Sequence, residues 1–487
     1  MIVMNVKMRM NLKIKKKGGR SMLFTSPAFL FLFLPLAVLF YLACGKGRRR
    51  VCLLIICAAF YLLQNLPSPE NLPILPLMTL YTFLSGRLVE KHRHGAVVFT
   101  ACIFPYAAVI LFRNFAYFEL SGFTYPVGLT IMAMGSTSYL LETARGTAVR
   151  RGKLWHLFLY LGFFPVLIAG PFIKYNDFLK LTSEERVDFK LHNFAAGARL
   201  FAIGFIKRLA IGAVLLETFA GFTQRLAGTA DPMMGIFTLI LIYFGVYFTI
   251  TGYSDMGCGL CRMFGLDLRY APTTPFRAAT PEEYFHSLLY TLRDWLDDYV
   301  IRPILRISKG RMPHLTRALV YGCCLLLFVR SSLYVLALAL PAVLLEYVTL
   351  RTGLGERLKG HSGVRILCTL PTMVCAAMTW LVVTMGDFRS IFLYLSQLTF
   401  ADSEYLMDLM LITFSGAKYV FVIVVGLLLL LPGLGGRHLI RRLSPGGQAT
   451  VRYLSMVTVF TLFTFTILFF LPQFSCYDTL PFRYVFI

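Results

Sequence analysis

Long apolar segments follow one another through most of this sequence, and they constrain the fold more than any other feature does. Of the 487 residues, 57% are hydrophobic and 15% are charged, and the mean hydropathy is +0.69. Soluble domains carry about one quarter charged residues. An apolar helix of ~20 residues crosses a bilayer, where only helices and closed barrels satisfy their backbone. The sequence therefore predicts an all-α polytopic integral membrane protein with about 11 transmembrane helices.

The formal net charge is +24, and the basic residues stand in short clusters between the apolar segments. The clusters are Lys46–Arg50, Arg87–Arg93, Arg145–Lys153 and Arg437–Arg442. Such clusters are typical of cytoplasmic loops and of contact with anionic headgroups. No soluble domain with a basic face is recognisable, so nucleic-acid binding is not indicated. Basic clusters flank both ends of the first apolar segment, which leaves the membrane orientation open.

The chain divides into a basic leader and one membrane domain. Residues 1–21 contain the run Lys15–Lys17 and are weakly apolar. They resemble a cytoplasmic leader, or an extension upstream of a chain that starts at Met22. No small-residue cleavage site follows the first apolar segment, so no cleaved signal peptide is predicted. Residues 22–487 are predicted to form a single transmembrane domain.

One stretch between apolar segments, Thr251–Ile304, is unusually rich in charge. Its charged residues include Asp255, Arg262, Arg293, Asp294, Asp297, Asp298 and Arg302. Ionisable groups at membrane depth are unfavourable unless they face a cavity, a partner or an interface. The part from about residue 268 to about residue 306 is too polar to span, so it is predicted to form re-entrant or interfacial core helices surrounded by protein or water.

Cys258 and Cys261 form a C-x-x-C in the same stretch. This spacing occurs in redox and metal sites of soluble proteins. Here it lies in a predicted membrane helix without a second Cys/His pair nearby. Buried free thiols are therefore the favoured interpretation, with a redox or metal role as the alternative.

Several motifs occur in a recognisable order. Gly252–Met256 reads G-Y-S-D-M and precedes Gly259 and Arg262–Gly265, while Phe163–Asp177 reads F-F-P-V-L-I-A-G-P-F-I-K-Y-N-D. Shorter motif segments are Pro126–Thr130, Ser138–Gly146, Gly204–Arg208 and Trp295–Ile304. Together they resemble the membrane-bound O-acyltransferase (MBOAT) family, in particular its bacterial branch that acetylates alginate and other exopolysaccharides.

The resemblance implies an MBOAT-like helical bundle with re-entrant core helices in a bacterial cytoplasmic membrane. It also implies transfer of an acetyl or similar acyl group across the membrane, to a glycan hydroxyl or to a partner protein. The acyl donor would be acyl-CoA or an acyl-carrier thioester, with no bound cofactor and no metal. Implied partners besides the lipid bilayer are an extracytoplasmic acetyltransferase or glycan-synthesis protein and an acyl-carrier protein.

The resemblance fails at two histidine positions. The family uses a histidine at mid-membrane depth as the general base that removes the acceptor's proton, a role that suits imidazole. Alignment on the motifs places Leu289 and Arg330 at the two family histidines, and Thr249 at a family aspartate. Leucine has no lone pair, and arginine stays protonated. Whether the chain is an active enzyme is therefore left open.

His286 is a candidate substitute base because it precedes Leu289 by about one helical turn. The alternative is an interfacial histidine satisfied by solvent or backbone. The remaining histidines stand in or beside basic clusters or polar loops and are expected to be solvated; they are His92, His94, His156, His192, His314, His361 and His438. Arg330 has two interpretations: it snorkels or pairs with a carboxylate, or it binds an anion in the former catalytic tunnel.

The other candidate substrate-binding residues are Tyr253, Ser254, Asp255, Arg262, Asp294 and Asp298. The first four either line a tunnel or hold helices together. Asp294, Asp297 and Asp298 are expected mainly to fix the core helices through ion pairs with Arg293 and Arg302. Two functions besides acyl transfer remain: a degenerate family member that serves as a scaffold or acyl conduit, and a lipid or small-molecule transporter.

Overall fold

The computed structural model describes residues 22–114, 125–147, 153–168, 170–183, 189–226, 232–268, 275–307, 314–320, 362–385, 417–430 and 444–471, with isolated positions between 344 and 394. These parts are helical, and no strand occurs within them, which confirms the predicted all-α class. The extent of the single domain stays a prediction.

Seventeen α-helices are labelled here by their bounds, and residues 314–320 are helical as well. The first nine are α1 (Leu34–Ala43), α2 (Arg49–Asn65), α3 (Ile74–Lys91), α4 (Gly95–Asn114), α5 (Leu129–Ala144), α6 (Leu154–Leu161), α7 (Phe164–Leu167), α8 (Tyr175–Leu181) and α9 (Leu191–Ile206). The others are α10 (Val214–Leu226), α11 (Pro232–Met263), α12 (Pro281–Leu288), α13 (Tyr290–Leu296), α14 (Arg302–Ile307), α15 (Ser362–Met385), α16 (Ala417–Leu430) and α17 (Pro445–Phe469). Three π-helical segments, Phe29–Phe33, Lys207–Ala213 and Asp297–Ile301, adjoin α1, α9 and α13.

Within the described ranges, four helical segments are long and apolar enough to cross a membrane. They are Pro69–Lys91, Gly95–Phe112, Gly235–Met263 and Gly446–Phe469; Phe29–Ala43 and Leu367–Val382 are shorter apolar helices. On α3 the exposed side chains include Leu77, Leu80, Leu84 and Leu88. These positions share one helix face, so α3 presents an apolar stripe suited to lipid. The total number of crossings stays a prediction.

Three of the basic clusters meet at one end of the bundle, called here the basic end. Gly146 follows α5, and Arg93 follows α3. A Cβ atom added to Gly146 would lie 3.6 Å from Arg93 Nη1. Arg50 Nε, at the start of α2, donates to the backbone oxygen of Thr182 at the end of α8. The opposite end of α8 packs beside the end of α5. The positive-inside rule predicts that the basic end faces the cytoplasm.

The antiparallel helices α9 and α11 form the centre of the bundle, and glycines bring their backbones together. A Cβ on Gly204 would lie 2.5 Å from Gly252 O, and one on Gly197 would lie 2.7 Å from Gly259 O. Each helix therefore supplies two glycines seven residues apart, as small-residue packing between membrane helices requires. α11 ends at the basic end. There Tyr41 Oη of α1 donates a hydrogen bond of 2.7 Å to the backbone oxygen of Phe264, the residue after α11.

Beyond α11, the charged stretch forms a broken helix, made of α12 and α13, that packs in the bundle. Its start is capped, since Thr280 Oγ1 accepts from Glu283 N (3.2 Å) and Pro281 occupies the first turn; such caps satisfy otherwise free N–H groups. The break lies at Leu289, with φ −114° and ψ 35° between α12 and α13.

The two halves of this broken helix reach different depths. The ring centroids of Tyr284 in α12 and Tyr243 in α11 are 5.4 Å apart. Tyr243 lies about 30 Å along α11 from the last residue of that helix. Tyr299, beyond α13, is buried beside the C-terminal part of α5 at the basic end. The packing of α12 and α13 among the other helices is thus consistent with the predicted core helices. The two helices together extend through much of the depth of the bundle.

Candidate functional site

A buried ion pair joins two of the motif segments at the centre of the bundle. Lys207 follows α9 in the G-F-I-K-R motif, and Asp255 lies on α11 in G-Y-S-D-M. The Lys207 Nζ to Asp255 Oδ2 distance is 2.6 Å, with side chains 12% and 5% exposed. Asp255 is about 12 Å along α11 from its end. A charge this deep requires such a partner, because an unpaired ion is strongly destabilising there.

In the same region, two side chains have buried polar atoms without a hydrogen-bond partner among the described residues. Arg208 places its guanidinium carbon 5.3 Å from the ring centroid of Tyr253, while its Nε and Nη1 atoms are buried without an acceptor. Thr249, one turn before Tyr253 on α11, is 1% exposed, and its Oγ1 atom likewise has no partner. Arg208 lies in the π-helical segment Lys207–Ala213, and Thr249 Oγ1 lies beside Gly212 of the same segment. Such a distortion often marks functional sites.

A second buried polar cluster, at the basic end, joins three other motif segments. Tyr299 Oη donates to Glu142 Oε1 and accepts from Ser138 Oγ over 2.9 Å. Ser138 Oγ also accepts from Tyr175 N (3.1 Å), and Glu142 Oε2 accepts from Asn176 N (3.0 Å). The helices α5 and α8 and the segment after α13 are therefore held together by hydrogen bonds in which both oxygens of the buried carboxylate take part.

Lys174 connects this cluster to the aspartates of the broken helix. Its Nζ lies 2.6 Å from Asp294 Oδ2 and also contacts Asp298 Oδ2. Asp298 additionally pairs with Arg302, and its backbone oxygen accepts from Arg145 Nη2 over 2.6 Å. Burial lowers the pKa of Lys174, but hydrogen bonds and charges from the two aspartates outweigh it and raise the pKa above its ordinary value. The lysine is therefore fully charged at neutral pH.

Replacing Lys174 with methionine is expected to lower the free energy of unfolding by about 1.5–3 kcal/mol, the range for a hydrogen bond to a charged group. The variant leaves Asp294 without this cation and weakens the attachment of the broken helix to α8. Thermal unfolding of the detergent-solubilised protein measures the effect. The matched control is Lys180→Met, since Lys180 is 60% exposed and its carboxylate contact is 3.6 Å; it should change stability by less than ~0.5 kcal/mol. Equal melting temperatures for the two variants would contradict the role assigned to Lys174.

Two of the predicted catalytic positions, His286 and Leu289, are described, and neither of them is buried. His286 is exposed on α12, and its ring centroid lies 5.5 Å from that of Tyr290. Leu289 is half-buried at the helix break. Arg330 lies outside the described residues. A catalytic role for His286 stays a prediction.

The predicted substrate-binding residues divide between the two clusters. Tyr253, Ser254 and Asp255 are buried beside Lys207 at the centre. Arg262 lies near the end of α11, with its Nε atom 3.6 Å from Asp267 Oδ1. Asp294 and Asp298 lie at the basic end, as described above. The expected pairing with Arg302 is present for Asp298, and Lys174 is a further cation that the expectation lacked. Whether any of these residues binds substrate stays a prediction.

Two other expectations concern histidine and cysteine. His156 was expected to be solvated, but it is 9% exposed, because α6 packs inside the bundle. Its ring centroid lies 3.6 Å from that of Trp155, with the two ring planes tilted by 47°. Cys258 and Cys261 are buried free thiols, as expected. Among the described residues, no group of three or more His, Cys, Asp or Glu side chains is placed to hold a metal ion.

Sequence reasoning missed Lys174, Lys207, Arg208 and Glu142 as members of the clusters. Each stands in a motif segment, so the motifs pointed to the right neighbourhoods. A signal was available for Lys207 and Arg208, because both interrupt an apolar segment in the same way as Arg330 does.

Comparison with known proteins supports the relationship that the motifs indicate. A probable alginate O-acetylase of Pseudomonas aeruginosa is 27% identical over 305 residues, which cover 57% of this chain and 56% of that protein. A peptidoglycan O-acetyltransferase of Helicobacter pylori is 22% identical over 330 residues, covering 58% and 62%. A teichoic acid D-alanyltransferase of Bacillus subtilis is 24% identical over 183 residues, covering 36% and 44%. The chain thus spans less than two thirds of the length of each of these relatives.

The family profile described as MBOAT, membrane-bound O-acyltransferase family, matches residues 56–320, more than half of the chain. This range contains all the motif segments and both polar clusters. Together with the apolar helices, the match makes the chain a multi-pass membrane protein. The chain belongs to the membrane-bound O-acyltransferase family.

Proposed function

We propose that this protein acylates a hydroxyl group of a cell-surface polymer, or hands the acyl group to a partner that does so. The observation that carries the proposal is the family match over residues 56–320, which includes every residue of the two polar clusters. The named relatives, which modify alginate, peptidoglycan and teichoic acid, support a cell-envelope polymer as the acceptor. An acetyl group is the transferred group in two of these three relatives.

The proposed donor is an acyl thioester, either acyl-CoA or an acyl-carrier protein. Both donors are anionic, and the basic end supplies Arg50, Arg93 and Arg145 where the positive-inside rule predicts the cytoplasm. An extracytoplasmic acetyltransferase or a glycan-synthesis protein is the proposed partner on the other side of the membrane.

The proposed base is His286, because it is the histidine next to the family position at Leu289 and its imidazole is accessible. His286→Ala is expected to lower acyl transfer at least ~10²-fold, the lower end of what a general base contributes. Acyl esters on the cell-surface polymer are quantified in a strain that lacks its own enzyme and carries the native partners of this chain. His192→Ala is the control, since His192 is exposed at the start of α9. An active wild type with an unaffected His286→Ala variant would rule out this base.

A catalytically degenerate family member that serves as a scaffold or acyl conduit is the second candidate. It is favoured by the residues at the family positions, because Leu289 and Arg330 stand at the two histidines and Thr249 at an aspartate. The same assay separates the two functions. If the wild type produces no polymer esters with its partners present, while restoring a known active relative does, the scaffold function is supported over catalysis.

A further inference from the structure

Arg208 is a cation with two buried nitrogen atoms that have no hydrogen-bond partner among the residues the structure describes. Its backbone nitrogen lies beside Gly252, about 16 Å along α11 from the basic end. The Nε and Nη1 atoms are buried and make no hydrogen bond. The stacking on Tyr253 contributes about 0.5–2 kcal/mol but satisfies no N–H group. An arginine at this depth without an acceptor is a candidate for ligand binding.

The carboxylates of the two polar clusters are engaged with other groups. Asp255 holds Lys207 at 2.6 Å. Glu142 accepts hydrogen bonds from Tyr299 and Asn176, and Asp298 pairs with Lys174 and Arg302 at the basic end. The adjacent lysine is therefore neutralised, whereas the charge of Arg208 is not.

Thr249 is a second residue on this part of α11 with a buried polar atom that has no partner among the described residues. Its Oγ1 atom is buried without a partner, one helical turn from Tyr253 on α11. A guanidinium offers only donors, and a hydroxyl is able to donate as well. The complementary ligand group is an oxyanion, because it supplies acceptors and negative charge at once. The Arg208 side chain as a whole is half-buried, which leaves it reachable from one side.

We propose that Arg208, held on the ring of Tyr253, binds a phosphate or carboxylate oxyanion carried by a substrate, with the Thr249 hydroxyl as a second donor. The proposal rests on the proposed acyl transfer for the identity of the substrate. The oxyanion belongs either to the donor, as a phosphate of a coenzyme A thioester, or to the acceptor, as the carboxylate of an acidic glycan. Arg208 is distinct from the proposed base and takes no part in proton transfer, since it stays protonated.

The test measures binding without turnover, so it stands apart from the question of catalysis. Thermal stabilisation of the purified full-length protein is titrated with coenzyme A in one arm and with a uronic acid trisaccharide in the other. Saturable stabilisation by one probe is expected for the wild type. Arg208→Gln should weaken apparent affinity at least about tenfold, and Thr249→Val by a smaller factor. Stabilisation by coenzyme A identifies the oxyanion as a phosphate of the donor, and stabilisation by the trisaccharide identifies it as a carboxylate of the acceptor.

Two further variants guard against a trivial loss of fold. Arg208→Lys keeps the charge but loses the planar fork, so it should bind more tightly than Arg208→Gln and more weakly than the wild type. Arg199→Gln is the matched control: Arg199 lies on α9 and its Nε is also buried without a partner, but its Nη2 donates to Ser455 Oγ over 3.0 Å. It should bind as the wild type does. The proposal is overturned if neither probe stabilises the wild type, or if Arg208→Gln binds a probe as tightly as Arg199→Gln does.

Discussion

Replacing Gly204 with leucine is expected to leave little correctly folded protein. An added Cβ would lie 2.5 Å from Gly252 O and 2.7 Å from Met256 N, so backbone atoms of α11 stand in the way. A backbone inside a helix does not move aside as the end of a flexible side chain does. Overpacking a core commonly costs about 1–3 kcal/mol, and we expect this variant at or above the upper end.

Size-exclusion chromatography of detergent-solubilised protein and its melting temperature measure this effect. The matched control is Gly221→Leu. Gly221 is also helical, but no atom lies within 4 Å of its added Cβ. Its replacement should preserve the yield, because leucine is the better helix former. If Gly204→Leu elutes and melts as Gly221→Leu does, the close crossing of α9 and α11 is wrong.

Removing Asp255 alone is expected to destabilise the protein by about 3–5 kcal/mol, because it leaves the Lys207 ammonium buried without its partner. The pair is 2.6 Å apart with both side chains largely buried. Replacing both residues, as Lys207→Met with Asp255→Leu, should recover most of the loss, since an apolar pair of similar volume is often neutral at buried sites.

Thermal unfolding of the two single variants and the double variant gives the coupling between the residues. Asp177→Ala is the control for losing an aspartate from an ion pair, because Asp177 and Lys180 are 61% and 60% exposed. That change should stay below about 1 kcal/mol. A double variant no more stable than Asp255→Leu would show that the two charges do not interact as the structure indicates.

Local pattern was enough to predict the fold class and the neighbourhoods of the polar clusters. The length of the apolar segments predicts membrane helices, and the order of the motifs indicates the family. Pairing between distant segments was not predictable from pattern. Lys207 and Asp255 are separated by 48 positions, and Glu142 and Tyr299 by 157. Nothing in the local sequence around Asp294 indicates that its cation is Lys174.

The membrane orientation illustrates the same limit. Basic clusters at both ends of one apolar segment gave no preferred direction in the sequence. The contact of Arg93 with the turn at Gly146, and that of Arg50 with Thr182, bring three clusters to one end. Once their positions are known, the positive-inside rule has a definite outcome.

The glycine contacts between α9 and α11 also have a mechanical consequence. Backbone meets backbone at two levels, so at these levels the two helices are too close for a side chain to separate them. Motion between these two helices would have to separate both levels at once, and we expect the pair to move as one rigid body. The interruption at Leu289 is different, because a helix break is a place where backbone dihedrals absorb rotation. If the protein opens and closes around a substrate, α12 and α13 are the elements expected to hinge, while α9 and α11 form the fixed frame.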